Sequence, residues 1–307
     1  MSRSVVAWLD EPAESEDAVG WAAQEARLRG LPLSVVHFQN DAARATRRTP
    51  LLAAGVAPRH PEGPAASHSP ARVGEQLADL LFRVRAAFPG VHVTHLESGG
   101  RPLEGLLSVA PDAAAFVMST RTATPLGGSP GPRHSAAVLL AQVRCPLVVV
   151  PTRRHDDGWA ETAAGGHGEA YDRRDVVLGL DLSRPDEAVI GYGFEAAASR
   201  GSALRVIYGW SARATMPAGR PADASFGEPG ALSGVLRPWQ EAFPTVAVLP
   251  ECVIGRPVDH LVESSARALL VVVGHRVRSE ATAPRPGPVV RGLLHRSLVP
   301  VAIVPHS

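Results

Sequence analysis

Short apolar runs rich in β-branched residues punctuate the chain. Val5-Val-Ala-Trp-Leu-Asp10, Leu33-Ser-Val-Val-His37, Pro146-Leu-Val-Val-Val-Pro151, Val176-Val-Leu-Gly-Leu-Asp181, Leu204-Arg-Val-Ile-Tyr208, Val271-Val-Val-Gly274 and Pro300-Val-Ala-Ile-Val-Pro305 have the length and composition of buried strands. Segments of helical pattern separate them. Glu16 to Arg29 reads as a helix with Ser15 as its N-cap and Gly30 at its C-terminal stop, and Glu187 to Arg200 reads as another, ending at Gly201. Apolar strands alternating with helices predict βαβ units and a parallel sheet covered on both faces.

The pattern occurs twice. Val5-Val-Ala-Trp-Leu-Asp10 returns as Val176-Val-Leu-Gly-Leu-Asp181, Arg29-Gly30 as Arg200-Gly201 and Leu33-Ser-Val-Val-His37 as Leu204-Arg-Val-Ile-Tyr208, each offset by 171 positions. Phe88-Pro-Gly-Val-His-Val93 returns as Phe243-Pro-Thr-Val-Ala-Val248 and Gly100-Arg-Pro102 as Gly255-Arg-Pro257 at an offset of 155, and the closing strands are 154 apart. The first copy is therefore 16 residues longer, and the excess falls in a Pro/Ala-rich stretch from about Gln39 to Ser69, an irregular loop by composition. Each copy runs strand, helix, strand, long connection, helix, strand, helix, strand, loop, helix, strand. Between them Thr152 to Arg174, with Gly165-Gly166 and no apolar periodicity, reads as a linker.

Composition narrows the function classes. A chain of 307 residues with 45% hydrophobic content is long enough for two ordinary cores, and its formal net charge of +1 provides no global attraction to nucleic acid or an anionic membrane. Two cysteines, Cys145 and Cys252, each beside an apolar strand, read as reduced and buried in a cytosolic compartment. The N-terminal apolar run is cut short by Asp10, so neither a secretory segment nor a membrane span is expected and the protein is expected to be soluble and cytoplasmic. Every one of the 31 basic residues is arginine. The absence of lysine removes a Walker-type lysine, Schiff-base chemistry and a lysine general base.

An acid closing the first strand, a Gly-Arg-Pro ahead of the third helix, a strand ending in Gly274, Gly287 thirteen residues on, and a terminal Pro-Val-x-x-Val-Pro strand together resemble the universal stress protein domain. The resemblance occurs twice and covers nearly the whole chain apart from the linker and the long loop. It implies an α/β fold of two tandem five-stranded, doubly wound parallel-sheet domains, of the type shared with adenine-nucleotide α-hydrolase-like proteins. The domains are expected at residues 1–151 and 174–307, with 152–173 between them. It also implies a stress-response protein without catalysis beyond weak ATP hydrolysis. Single domains of this family often dimerise through their last strands. Residues 146–151 and 300–305, apolar and flanked by proline, are accordingly expected to pair inside the chain as a pseudo-dimer, a homodimer of the whole chain being a further assembly compatible with the resemblance.

Some members of the family bind ATP and others have lost the phosphate loop. The binding loop is similar to Gly-x-x-Gly, nine residues, then Gly-Ser or Gly-Thr. Its glycines let backbone amides approach phosphate, and its last glycine opens a helix whose N-terminus favours anions. In the second copy Gly274 and Gly287 hold the first and last glycine positions, followed respectively by His275-Arg276-Val277 and Pro288-Val289. Val277 stands at the middle glycine and disfavours φ > 0, and Pro288 replaces the hydroxyl residue and removes one N–H. Arg276, Arg278 and Arg285 offer guanidinium forks to a phosphate in compensation. Asp181 and Ser183 hold positions that in the family meet the adenosine part, and Leu180 and Gly209, at the ends of the first two strands of this copy, complete the candidate set. The expected ligand is ATP or a related adenine nucleotide, with no metal save magnesium carried by the nucleotide. In the first copy Thr120, Ala123 and Arg133-His134 hold the matching positions, so no nucleotide is expected there.

Other chemistry is set aside on mechanism. Gly127-Gly-Ser-Pro-Gly131 matches the string of a serine-hydrolase elbow, but Pro130 has no N–H for an oxyanion hole. No pair among the twelve histidines has metal-binding helical spacing with a third ligand in reach, and His37 and His295 read as satisfied polar or surface groups. Asp156-Asp157 reads as a solvated turn. An adenylate-forming or pyrophosphatase relative of the fold would need a Ser-Gly-Gly signature after the first strand, which neither Asp10-Glu-Pro nor Asp181-Leu-Ser provides. The competing reading is an interaction module of the same fold that binds no nucleotide, engages a partner through the 39–69 loop and fills its crevice with side chains such as Val277.

Overall fold

The computed structural model describes residues 3–9, 12–38, 70–98, 102–120, 135–152, 175–210, 229–277 and 286–306. The 39–69 loop, Asp10, the Gly127–Gly131 string, Asp156-Asp157 and nearly all of the linker lie outside the described residues.

The first half runs β1 (Ser4–Leu9), α1 (Pro12–Arg29), β2 (Leu33–Phe38), α2 (Pro70–Ala87), β3 (Val93–Ser98), α3 (Pro102–Val109), β4 (Ala113–Ser119), α4 (Ser135–Gln142) and β5 (Leu147–Val150). The second repeats the order as β6 (Asp175–Leu180), α5 (Glu187–Arg200), β7 (Leu204–Trp210), α6 (Pro229–Ala242), β8 (Val248–Ile254), α7 (Pro257–Ser265), β9 (Ala268–Arg276), α8 (Pro288–Arg296) and β10 (Val301–His306). The ten strands form one sheet in the order β3-β2-β1-β4-β5-β10-β9-β6-β7-β8. Pairing is parallel within each half, and the halves meet at an antiparallel junction in which Val301, Ala302 and Ile303 oppose Val149, Val148 and Leu147. The expected pairing of the two closing strands is thus present, and it joins two five-stranded sheets edge to edge.

Both faces of the sheet are covered, as continuous apolar strands require. Ala18, Ala22, Leu80, Val84, Ile190, Phe194 and Leu236, from α1, α2, α5 and α6, form one core that runs unbroken across the junction. Leu139, Leu140, Leu261, Val290 and Leu293, from α4, α7 and α8, form the other.

Helix boundaries follow the capping chemistry in one copy and depart from expectation in the other. α5 spans the expected residues, with the Asp186 carboxylate accepting from the Ala188 amide at 2.9 Å and Gly201 left-handed at φ 61°. α1 begins at Pro12, so Ser15 lies inside the helix, fully buried, and is not its N-cap. Proline's fixed φ and missing N–H suit a first helical position and move the start upstream.

The junction brings α1 against α5 and creates a reciprocal arrangement between repeat-equivalent residues. Arg29 lies over the Tyr192 ring at 5.0 Å, and its counterpart Arg200 lies over Trp21, the counterpart of Tyr192, at 5.7 Å. One residue breaks the symmetry. Glu25, 1% exposed, accepts from Arg29 at 2.6 Å and also from Arg200, whereas the equivalent position in α5 is Ala196.

The cysteines separate. Cys145 is buried, and burial pushes its thiol up to about 11, but Cys252 is exposed on β8, the edge strand of the second half, and is not the buried residue expected from its apolar neighbours. An edge strand has one open side, and β8 also carries Pro250, a residue tolerated at sheet edges. Native protein titrated with an aromatic disulfide reagent is expected to release about one thiolate per chain, against about two after denaturation. Cys252→Ser should abolish the native release. Equal release before and after denaturation would contradict the burial of Cys145.

Candidate functional site

The sheet order sets the position of the crevice. From β6 the chain winds outward to β7 and β8, then returns to β9 on the other side of β6, so β6 and β9 flank the switch point where adjacent loops part. The register pairs Gly179 with Val273 and Leu180 with Tyr208, which aligns the carboxyl ends of β9, β6 and β7. Leu180 ends β6, and Gly209 and Gly274 lie one and two residues before the ends of the adjacent β7 and β9. Asp181 and Ser183 form the turn leaving β6, and Gly287, Pro288 and Val289 form the N-cap and first turn of α8.

Within the β6 turn the Asp181 carboxylate is already engaged. Its Oδ1 accepts from the Ser183 amide at 3.0 Å and from the Ser183 hydroxyl at 2.6 Å, and the Asp181 carbonyl accepts from the Arg184 amide at 3.1 Å. Such a turn fixes the carboxylate, whose second oxygen has no partner among the described residues, on an exposed side chain at the end of the strand.

The β9 side departs from the sequence reading. β9 does not end at Gly274 but continues through His275 and Arg276, which pair with Pro305 and His306 of β10. The Val277 amide then donates to the His306 carbonyl at 2.8 Å. Backbone donors expected to open a phosphate loop are thus partly used within the sheet, because β10 is long enough to extend the ladder. Arg276 is exposed on this last stretch, and Arg278 and Arg285 lie outside the described residues.

The two retained glycines differ in what requires them. A Cβ on Gly274 would lie 2.9 Å from His306 Nε2 and 3.1 Å from Val189, so its missing side chain accommodates an imidazole and a valine. Gly287 has φ −59° and nothing within 4 Å of a Cβ, so neither its backbone nor its described neighbours demand glycine. Pro288 occupies the first helical position of α8, as expected.

His306 and Asp186 adjoin the candidate site, and the motif comparison missed them. His306 Nδ1 lies 3.7 Å from Asp186 Oδ2, which places the α5 cap, the end of β10 and Gly274 together. The repeat carried the signal: His306 is equivalent to Thr152 and Gly274 to Thr120, and the Thr152 amide donates to the Thr120 hydroxyl at 3.2 Å. The same two positions touch in both halves, as a Thr/Thr pair in one and a Gly/His pair in the other. Asp10, Ala123, Arg133 and His134 of the first copy lie outside the described residues.

His275 is buried beneath this corner, and burial, with His306 nearby, lowers its pKa from the ordinary histidine value. His37 is also buried, and its Nδ1 has no hydrogen-bond partner among the described residues, so it is neither the satisfied nor the surface group expected. Burial first, and His95 second, lower its pKa. A histidine with a lowered folded-state pKa binds protons more readily when unfolded, so stability is lost as pH falls below about 6.5 toward the folded value. Melting temperature should decline between pH 7 and pH 5 less steeply in His275→Gln than in the parent. Parallel curves for the two proteins would remove His275 from the acid response.

Among the described residues no group of three or more His, Cys, Asp or Glu side chains could hold a metal ion, and no helix is long and apolar enough to cross a membrane.

Comparison with known proteins adds to this geometry. The sequence model described as the Universal stress protein family matches residues 1–151 and 172–305. Universal stress protein Rv2623 of Mycobacterium tuberculosis is 27% identical over 313 residues, covering 100% of this chain and 97% of its own. A universal stress protein of Mycolicibacterium smegmatis is also 27% identical, covering 98% and 96%. The crystal structure of a universal stress protein from Archaeoglobus fulgidus superposes with a TM-score of 0.58 over 98% of both chains at 16% identity, a likeness of fold.

Proposed function

The chain belongs to the universal stress protein family, and from that premise we propose that it is a non-catalytic, cytoplasmic stress-response protein that holds ATP or a related adenine nucleotide in the crevice of its second half. The two family domains are read as residues 1–151 and 174–307, joined by 152–173. The nucleotide reading is supported by the fixed Asp181–Ser183 turn at the end of β6, beside β9 at the switch point, with α8, which opens at Gly287, following β9 in the chain. Asp181 and Ser183 would face the adenosine part, and the α8 N-terminus the phosphates with any accompanying magnesium. Because Pro288 and the bonded Val277 amide leave few backbone donors, binding would be weaker than in a full phosphate loop and would lean on Arg276.

A second reading has its own support. His306 lies over Gly274 and the Val277 amide is spent on β10, which suits an interaction module whose crevice is closed by its own side chains. With β5 and β10 used on each other, a homodimer of the whole chain would have to employ another surface.

Titration with ATP, ADP, AMP and cyclic AMP, followed by calorimetry and thermal shift in parent and Gly287→Arg, separates the two. The nucleotide reading expects the parent to gain about 2.7 kcal/mol of stability at a ligand concentration of 100 Kd, and Gly287→Arg to lose the response. Flat responses from both proteins would leave the interaction module.

A further inference from the structure

A cleft of about 560 Å³ lies at the junction of the two halves, within the range of small-molecule sites. It is separate from the crevice above: none of Asp181, Ser183, Gly274 and Gly287 lines it. Arg3, Arg29 and Arg144 reach it from the first half, and Glu187, Glu195 and Tyr192 from α5 of the second. Arg3, Arg144, Glu187 and Glu195 make no ion pair or hydrogen bond with one another or with any other described side chain. Tyr192 is 6% exposed, and its hydroxyl has no hydrogen-bond partner among the described residues. A buried hydroxyl left unpaired is unfavourable, and burial also raises the pKa of this phenol, keeping it a neutral donor.

The repeat supplies an internal control. On the pseudo-symmetric side of the junction Glu16, equivalent to Glu187, is taken by Arg83 of α2. At the cleft, the residue equivalent to Arg83 is Pro238, which leaves Glu187 unclaimed. Other cleft residues also differ from their counterparts: Arg144 corresponds to Leu298, Glu195 to Gln24, Trp239 to Val84, Leu31 to Ser202 and Ala188 to Asp17. On one side the glutamate is taken by an arginine of α2; at the cleft Glu187 has no such arginine, and Arg144, Glu195 and the aromatic wall of Trp239 are added.

We propose that the junction cleft binds a small dipolar molecule of dipeptide type, its carboxylate toward Arg3, Arg29 and Arg144, its ammonium toward Glu187 and Glu195, and a backbone polar atom accepting from the Tyr192 hydroxyl. Guanidinium groups match a carboxylate's geometry, and the indole of Trp239, packed on Gly191, supplies an apolar wall for a side chain.

Calorimetric titration of the full chain with L-alanyl-L-alanine, its N-acetyl form and its C-terminal amide tests the assignment. The free dipeptide is expected to bind, and loss of either terminal charge to weaken binding about tenfold or more. Arg144→Leu and Glu195→Gln, which install the residues of the other side, should each weaken the free dipeptide by a similar factor. Tyr192→Phe should melt at a higher temperature than the parent without ligand, yet bind less well. No heat and no thermal shift with the free dipeptide up to about 10 mM would overturn the proposal. So would equal binding of the blocked forms, or of the two swapped variants. A change in melting temperature on swapping with no ligand response would assign these charges to attraction between the halves, and would likewise overturn it.

Discussion

Glu25→Ala is expected to lower stability by about 3 kcal/mol, the lower end of the range for removing one partner of a buried ion pair. Glu25 is 1% exposed and serves two arginines from different halves of the chain, with Arg200 11% exposed and Arg29 21%. Removing the carboxylate leaves two guanidinium groups facing each other near two aromatic rings, and neither Trp21 nor Tyr192 can supply the lost charge. The partial exposure of Arg29 lets that side chain recover some hydration, which is why the larger values of the range are not expected. For a chain of this size the loss corresponds to a fall in melting temperature of about 6–12 °C. Asp79→Ala is the control, since the Arg83–Asp79 pair has a 65% exposed carboxylate and should contribute less than about 1 kcal/mol. Equal melting temperatures for the two variants would show that the seam does not depend on Glu25.

The residues of this seam were visible in the sequence, and their meaning was not. Trp21 and Tyr192, like Arg29 and Arg200, are separated by the repeat offset of 171, but on an isolated helix they read as ordinary amphipathic positions. They become an interface because β5 meets β10 antiparallel, which turns α1 toward α5. Periodicity and self-comparison did identify seven of the ten strands, the order of elements in both halves and the pairing of the closing strands, since each follows from local pattern or from the repeat. Boundaries were harder. Ser15 has the chemistry of an N-cap, but Pro12 three residues upstream starts the helix, and Cys252 sits in an apolar run that turns out to be a sheet edge. In the candidate crevice Asp181, Ser183, Gly274 and Gly287 were legible as motif positions, whereas the extension of β9 depends on the length of β10, a tertiary fact that no local window contains.

Gly274→Thr is expected to destabilise the second half by about 1–3 kcal/mol, although threonine is a good strand residue and the three residues before it are all valine. Space decides the outcome. The new Cβ would lie 2.9 Å from the His306 imidazole and 3.1 Å from Val189, so at least one of them has to move, and the β-branched Val189 has little rotamer freedom inside a helix. His306 is additionally held through its backbone carbonyl, which accepts from Val277. The first half has solved the same contact with Thr120 and Thr152. Gly274→Thr combined with His306→Thr should therefore recover most of the lost stability, a coupling that distant, independent sites would not show. If the double variant is no more stable than the single one, the glycine is not retained for the imidazole. The double variant also bears on function: a glycine kept for His306 alone would be replaceable without any change in nucleotide response, whereas a glycine that also lets a ligand approach the β9 backbone would lose that response even with stability restored.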